Sequence, residues 1–252
     1  MNILFVLAHP EPKSFNARLV ELGRQHFERN GNTVEVSDLY GQRFDPVEKA
    51  DHYACRADGN VFAPLAEQRH AYREKALPCD IEVEIGKLER ADLVIFQFPV
   101  WWHSTPAILK GWLDRVFVAG GLYTSRMRYD RGYFRGKRAL CSVTSGAPEE
   151  VFVPGGRGGE ISQILWSLQF SLHYMGFCVL PPHASFGVAG HGFSYVDDET
   201  FVRQFESLEN RWLSRLAGVA DDQPLCFPGW DEWDDLGRPK ANGVQIEDGR
   251  IC

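Results

Sequence analysis

The chain has 252 residues, of which 44% are hydrophobic and 24% are charged, and its formal net charge is −7. A chain of this length can bury a substantial core within one domain. The acidic balance argues against a nucleic-acid partner, because phosphate binding requires clustered Lys and Arg side chains.

Five segments are predicted to form buried β-strands. Three are continuous apolar runs at residues 3–8, 93–98 and 139–144, and two weaker ones lie at residues 33–37 and 177–180. Continuous rather than alternating apolar runs are typical of parallel sheets that helices cover on both faces.

Amphipathic helices are predicted between these strands. The first has Phe15, Leu19 and Leu22 on one face, and Ser14 can cap its N-terminus. The other apolar stripes are Ile81, Ile85 and Leu88; Ile108, Trp112 and Val116 after Pro106; Ile161, Leu165, Leu168 and Leu172; and Phe201, Phe205, Leu208, Trp212 and Leu216. Strands that alternate with helices predict an α/β fold with a doubly wound parallel sheet.

We predict one domain over residues 1–218, with an insertion at about residues 40–78. Residues 219–252 form a C-terminal arm that is rich in Pro, Trp and acidic residues. A frayed terminus is the alternative, but disordered tails are poor in aromatic residues. We therefore expect the arm to pack, with a partner subunit as the candidate surface.

The six cysteines are scattered, and none forms a CxxC pair. No signal peptide is recognisable, and the first apolar run is too short to span a membrane. Reduced thiols, a cytoplasmic location and no integral membrane segment are therefore expected.

Three segments that follow strands are candidates for a binding site, because ligands of open α/β sheets bind outside the carboxyl ends of the strands. The first leads into the first helix, where backbone N–H groups suit a phosphate group. An ordinary capped helix start is the alternative interpretation. The candidate residues in this segment are His9, Ser14, Phe15 and Asn16.

The second and third segments suit a flat ring. Trp101 and Trp102 follow a strand, where exposed tryptophans usually meet a planar partner such as a flavin, although both indoles could instead belong to the core. Small residues after the strand at 139–144 let backbone donors approach a planar heterocycle closely. The candidates are Pro99, Val100, Trp101, Trp102, His103, Thr144, Ser145, Gly146 and Ala147.

A glycine-rich segment, PGGRGG at residues 154–159, precedes the fourth predicted helix. It is not the GxGxxG fingerprint of dinucleotide-binding folds, which follows the first strand. It is either a flexible loop or a source of backbone donors that, with Arg157, faces a reduced, anionic flavin.

Together these segments resemble the NAD(P)H:quinone oxidoreductase (DT-diaphorase-like) family of flavodoxin-like flavoproteins. The matching stretches are VLAH (residues 6–9), SFN (14–16), SDLY (37–40), ADLVIFQFP (91–99) and PAILKGW (106–112), with ILW (164–166) and PL (224–225) extending the match. The resemblance implies a flavodoxin-like fold with a five-stranded parallel sheet in the order 2-1-3-4-5.

The resemblance also implies a tightly bound flavin, FAD more often than FMN, in a homodimer with sites at the subunit interface. NADH or NADPH passes a hydride to flavin N5, and a quinone or another electrophilic aromatic compound then takes two electrons in the same pocket. By position, residues 9 and 14–16 contact the phosphate side of the flavin. Residues 99–103 and 144–147 line its ring.

The candidate catalytic residues are Tyr123, His103 and Arg157. Tyr123 matches a tyrosine that reaches across the dimer to the substrate pocket, and His103 stands where family members carry phenylalanine. Phe152 and Gly158 replace a Tyr–His pair that manages the charge of the flavin's N1/O2 edge. We expect Arg157, or backbone N–H groups of the glycine-rich segment, to stabilise the reduced flavin instead.

Two other functions stay open. A true flavodoxin carries single electrons, but such proteins are shorter than this chain. Some relatives are ancillary subunits of potassium efflux systems, and nothing in the sequence marks such an interface. No metal site is predicted, because His173 and Cys226, near metal-binding positions of some relatives, lack a third ligand.

Overall fold

The computed structural model describes residues 1–188, 198–240, 246–247 and 250–251. Its parallel strands are β1 (Asn2–Leu7), β2 (Thr33–Asp38), β3 (Leu93–Pro99), β4 (Arg138–Thr144), β5 (Cys178–Val179) and β6 (His183–Ser185). The order β2-β1-β3-β4-β5 confirms the predicted sheet, and β6 also pairs with β4. A short antiparallel pair, β7 (Ile246–Glu247) and β8 (Arg250–Ile251), lies near the end of the chain.

The α-helices of the described residues are α1 (Phe15–Arg29), α2 (Pro64–Arg73), α3 (Cys79–Arg90), α4 (Ala107–Val116), α5 (Ile161–Tyr174) and α6 (Asp198–Ala217). The five predicted helices are confirmed, and the Ser14 hydroxyl caps α1 by accepting the N–H of Ala17 at 3.2 Å. The side chain of Phe201 lies outside the described part of α6. No helix among the described residues is both long and apolar enough to cross a membrane.

The core has two halves, one on each face of the sheet. Helices α1 and α6 cover one face, and α3, α4 and α5 cover the other. A fully buried tryptophan lies in each half, and its indole N–H donates a hydrogen bond: Trp112 to Glu84 Oε2 and Trp212 to the Leu19 carbonyl, both at 2.8 Å. Each ring therefore contributes its apolar area without leaving a buried donor unpaired.

The fifth strand is interrupted, which the sequence did not predict. β5 pairs with the first residues of β4 and β6 with its last, through the partners Arg138–Cys178 and Thr144–Ser185. Pro181 and Pro182 lie between the two segments and have no N–H to donate to β4. The predicted strand at residues 177–180 is therefore the first half of a broken strand.

The insertion at residues 40–78 contains α2 and is anchored by buried charges. The Arg115 guanidinium, on α4, is buried and donates to the Asp45 carbonyl and to Asp80 Oδ2, each at 2.7 Å. Within the insertion, buried Glu67 pairs with Arg56 at 2.8 Å. The insertion approaches α4 closely, because a Cβ placed on Gly111 would lie 2.1 Å from the Pro46 carbonyl oxygen.

The described part of the C-terminal arm contacts its own chain. The Leu225 N–H donates to the Val179 carbonyl at 2.7 Å, and the Phe227 ring stacks on His173 with centroids 4.9 Å apart. Asp231 pairs with Arg131 at 2.8 Å. The expected contact of the arm with a partner subunit, and the boundary at residue 218, stay predictions.

We predict that Gly111→Ala lowers the free energy of unfolding by about 1–3 kcal/mol, because the added methyl group must displace the Pro46 backbone. Gly86→Ala in α3 is the matched control, because its Cβ would meet only the flexible end of Arg90 at 3.2 Å. Alanine is the better helix former, so the control should gain about 0.5–1 kcal/mol. Urea unfolding of both variants measures this, and equal stability changes would contradict the close approach.

Candidate functional site

A cavity of about 530 Å³ opens at the carboxyl ends of β1, β3 and β4. The three segments predicted from the sequence meet there, as parallel strands require. The predicted residues that line it are His9, Ser14, Phe15, Asn16, Pro99, Val100, Trp101, Thr144, Ser145 and Gly146. Glu11, Lys13, Val188 and Phe205 complete the lining and were not predicted as site residues.

The turn after β1 holds His9 in a defined state. The Glu11 N–H donates to His9 Nδ1 at 3.0 Å, and Glu11 Oε1 accepts the Lys13 N–H at 2.8 Å. Burial lowers the pKa of His9, which favours the neutral ring at pH 7. Because Nδ1 accepts a hydrogen bond, the ring proton is on Nε2, where it can be donated to an anion.

The N-terminus of α1 supplies backbone donors to the same cavity. Phe15 and Asn16 lie in the first turn, where a helix offers no carbonyl acceptor to the N–H groups. The helix dipole adds partial positive charge at this end. The N-terminus of this 15-residue helix therefore favours a phosphate group.

A buried hydrogen-bond chain joins the three segments beneath the cavity. Gln97 Nε2, on β3, donates to Asn16 Oδ1 at 2.8 Å, and Asn16 Nδ2 donates to Thr144 Oγ1 at 2.9 Å. All three residues are buried, so these bonds are shielded from water. Gln97 is the one polar residue inside an apolar strand, and that was the available sequence signal for its role.

The segment after β3 is a tight turn with a strained backbone. Trp101 and Ser104 exchange N–H···O bonds at 3.0 Å in both directions. The two central residues, Trp102 and His103, have φ values of +50° and +56°. Left-handed backbone at non-glycine residues costs about 1 kcal/mol or more each and clusters at functional sites. Trp101 faces His9 with ring centroids 6.2 Å apart, whereas Trp102 is 97% exposed.

The segment after β4 is held close to residues 185–188. Ser145 donates its N–H to the Ser185 carbonyl at 3.0 Å and accepts the Val188 N–H at 2.9 Å. A Cβ on Gly146 would lie 3.4 Å from the Val188 carbonyl oxygen, so the space beside Gly146 is narrow. Phe205 of α6 packs edge-on against Phe15, with ring centroids 4.7 Å apart, and lines the same cavity.

The donor set of this cavity fits a flavin nucleotide. Besides Phe15 and Asn16, the backbone N–H group of Gly146 in the lining and those of Trp102 and His103 in the adjacent turn donate to no acceptor among the described residues. The N–H groups of Phe15 and Asn16 suit a phosphate, and the other three suit the polar edge of a planar heterocycle. Val100 and Trp101 add apolar surface to the same lining.

Several predicted site residues lie outside the cavity lining. Trp102, His103 and Ala147 belong to the turns around it. Arg157 is exposed in the glycine-rich segment, where Gly158 donates its N–H to the Val151 carbonyl at 2.8 Å. Tyr123 lines a second cavity of about 450 Å³, which shares Ser104 and Thr105 with the turn after β3.

No three His, Cys, Asp or Glu side chains converge on a possible metal position within the described residues. His173 Nε2 lies 3.0 Å from the Pro228 carbonyl oxygen, and Cys226 is an exposed free thiol. Burial lowers the pKa of His173, so its neutral ring serves as a hydrogen-bond donor to the C-terminal arm.

Residues 1–208 match the model of a protein family described as having a flavodoxin-like fold. The chain is 39% identical over 231 residues to the mouse (Mus musculus) ribosyldihydronicotinamide dehydrogenase [quinone], covering 90% of this chain and 96% of the mouse protein. It is 41% identical over 226 residues to the guinea pig (Cavia porcellus) NAD(P)H dehydrogenase [quinone] 1, covering 89% of this chain and 79% of the guinea pig protein. A crystal structure of a candidate quinone reductase from Klebsiella pneumoniae superimposes with a TM-score of 0.87 at 33% identity, over 100% of both chains.

We predict that Asn16→Ala lowers the free energy of unfolding by about 2–3 kcal/mol, because it leaves the Gln97 amide and the Thr144 hydroxyl buried without this partner. Asn30→Ala is the control, since its side chain donates to the His26 carbonyl at the exposed end of the same helix. We expect about 1 kcal/mol or less there. Chemical denaturation measures the free energy of unfolding of both variants. Equal losses would show that the buried hydrogen bonds of Asn16 stabilise the fold no more than the exposed one of Asn30.

Proposed function

The chain belongs to the NAD(P)H:quinone oxidoreductase family of flavodoxin-like proteins, and we propose that it is an NAD(P)H dehydrogenase that reduces quinones through a bound flavin. The observation that carries the proposal is the cavity at the carboxyl ends of β1, β3 and β4. Its unpaired backbone donors occur on three segments that one buried hydrogen-bond chain holds together.

We propose that the cofactor is FAD, with FMN as the less favoured form. The N–H groups of Phe15 and Asn16, the Ser14 hydroxyl and His9 Nε2 would hold its phosphate side. Val100, Trp101, Trp102 and His103 would line the isoalloxazine on one side. Thr144, Ser145, Gly146 and Ala147 would line it on the other, where the absence of a side chain at Gly146 permits close approach.

A flavin held by these residues would supply two-electron chemistry: hydride uptake from NADH or NADPH, and reduction of a quinone, with two protons, to the hydroquinone. The protein orients the reactants and controls charge. His9 would donate a hydrogen bond to the phosphate without adding a full positive charge, because burial lowers its pKa. His103 and Tyr123 are proposed to contact the substrate, and Pro99 ends β3 so that the ring-lining turn can begin.

Arg157 is proposed to offset the negative charge of the reduced flavin. It has no hydrogen-bond or ion-pair partner among the described residues. The glycine-rich segment is compact around the Val151 carbonyl, because a Cβ on Gly156 or Gly158 would lie 2.6 or 2.8 Å from that oxygen. The compact loop fixes the backbone that carries Arg157, so ordering the cation costs mainly the rotamer entropy of its own side chain.

We further propose a cytoplasmic homodimer in which Tyr123 of one subunit faces the flavin of the other. A single-electron carrier and an ancillary subunit of a potassium efflux system are the alternatives. The exposed, strained turn at Trp102 and His103 favours the dimer, because a 97% exposed indole next to a binding cavity gains stability when a second surface covers it.

We predict that the purified protein binds flavin and that NADH or NADPH bleaches its absorbance anaerobically in one two-electron phase. Added quinone should restore the absorbance with one equivalent per flavin. Anaerobic titration followed by identification of the released flavin tests the cofactor, the donor and the acceptor class together. Stepwise one-electron reduction would indicate a carrier, and a protein that binds no flavin after reconstitution would leave only the fold.

We predict that Arg157→Ala slows reduction of the bound flavin by about tenfold or more and lowers its midpoint potential, because the reduced anion loses a nearby cation. Arg29→Ala is the control, since Arg29 lies at the far end of α1. Stopped-flow reduction and a redox titration of both variants decide the point. An unchanged rate and potential would assign the role to the backbone N–H groups of the glycine-rich segment.

A further inference from the structure

The second cavity has an aromatic lining that suits a planar ring. Tyr123 and Tyr174 meet edge to face with centroids 5.6 Å apart, and Phe117 and Phe170 also line the cavity. Burial raises the pKa of Tyr123, so its hydroxyl keeps its proton and can donate to an oxygen of a bound compound. The chemistry of the walls therefore favours a flat aromatic or quinoid ligand.

Two arginines beside this cavity have no carboxylate partner among the described residues. Of the lining residues, only Lys110 and Asp114 are charged, and they pair with each other at 2.6 Å. Arg69 acts electrostatically on Tyr123, and Arg128 contacts Tyr174. Neither Arg69 nor Arg128 forms an ion pair with a described residue. Arg128 therefore brings a positive charge that has no carboxylate partner among the described residues to the Tyr174 side of the cavity.

Arg128 is held in place by neutral groups. Its Nη1 donates to the Tyr174 hydroxyl at 3.1 Å, and its Nε and Nη2 donate to the Ser125 carbonyl at 3.3 and 3.0 Å. The guanidinium also lies over the Tyr174 and Trp230 rings, 5.5 and 5.4 Å from their centroids. These bonds occupy three of its five N–H groups and leave one each on Nη1 and Nη2.

We propose that this cavity admits a planar ring compound that carries an anionic group, and that Arg128 binds the anion. The inference rests on the proposed function, in which Tyr123 of this cavity contacts the substrate. The two remaining N–H groups lie on neighbouring nitrogens, from which a carboxylate, sulfonate or phosphate can accept hydrogen bonds. The fixed orientation of Arg128 means that little side-chain entropy is lost when the anion binds.

The test is a comparison of Arg128→Met with Arg131→Met in the flavin-loaded enzyme. Methionine keeps the apolar stem over the aromatic rings while removing the charge. Arg131 is the matched control, because it lies on the same loop and over the same Trp230 ring at 5.6 Å, but its charge is paired with Asp231. Arg128→Lys, which keeps the charge but lacks the planar guanidinium group, is a third variant.

Each variant is assayed with two acceptors and two donors. The acceptors are an uncharged naphthoquinone and its sulfonate, and the donors are NADH and dihydronicotinamide riboside, which carries no phosphate. We expect Arg128→Met to lose about fivefold in kcat/KM, through KM, only where a reactant carries the anion. Arg128→Lys should recover part of the loss, and high ionic strength should shrink the difference between Arg128→Met and the unmodified enzyme.

The pattern of loss identifies the source of the anion. A loss confined to the sulfonate supports an anionic acceptor, and one confined to NADH supports recognition of the dinucleotide phosphates. An equal loss with all four combinations, or none, would overturn the role of Arg128. If the unmodified enzyme reduces no quinone with either donor, the proposed function fails rather than this inference.

Discussion

The hydrogen bonds from Gln97 to Asn16 and from Asn16 to Thr144 set the spacing on which the site depends. They connect the start of α1, the end of β3 and the end of β4, which are far apart in sequence but adjacent at one edge of the sheet. Because these hydrogen bonds are buried, no water can replace a partner that is lost. These bonds therefore fix the spacing of the cavity, and the segments around it need only supply hydrogen-bond donors.

The main elements and the location of the site follow from the sequence because both depend on local patterns. Apolar runs and helical stripes predict the five strands and the five covering helices, and parallel strands force their carboxyl ends together. The break in the fifth strand depends on the pairing of Pro181 and Pro182 with β4, which no local pattern reports. Helix α2 lacks a clear apolar stripe, since buried Glu67 and Gln68 are part of its inner face.

The remaining site residues were missed for a similar reason. Phe205 belongs to a helix stripe that reads as core, and only the crossing of α6 over α1 turns it toward the cavity. Arg128 is one of several basic residues in a loop, and its position over Tyr174 depends on how α5 packs there. Long-range packing decides which side chain of a repetitive pattern meets a ligand.

The broken fifth strand also bears on how this sheet avoids joining others. An outer strand with unpaired N–H and C=O groups is a template for strand addition and aggregation. Here the two prolines divide the edge strand into segments of two and three residues, and the Leu225 N–H donates a hydrogen bond to the outward-facing Val179 carbonyl. The break in the strand thus protects this edge of the sheet. A substitution that restored a continuous strand would lengthen the edge available for association between molecules.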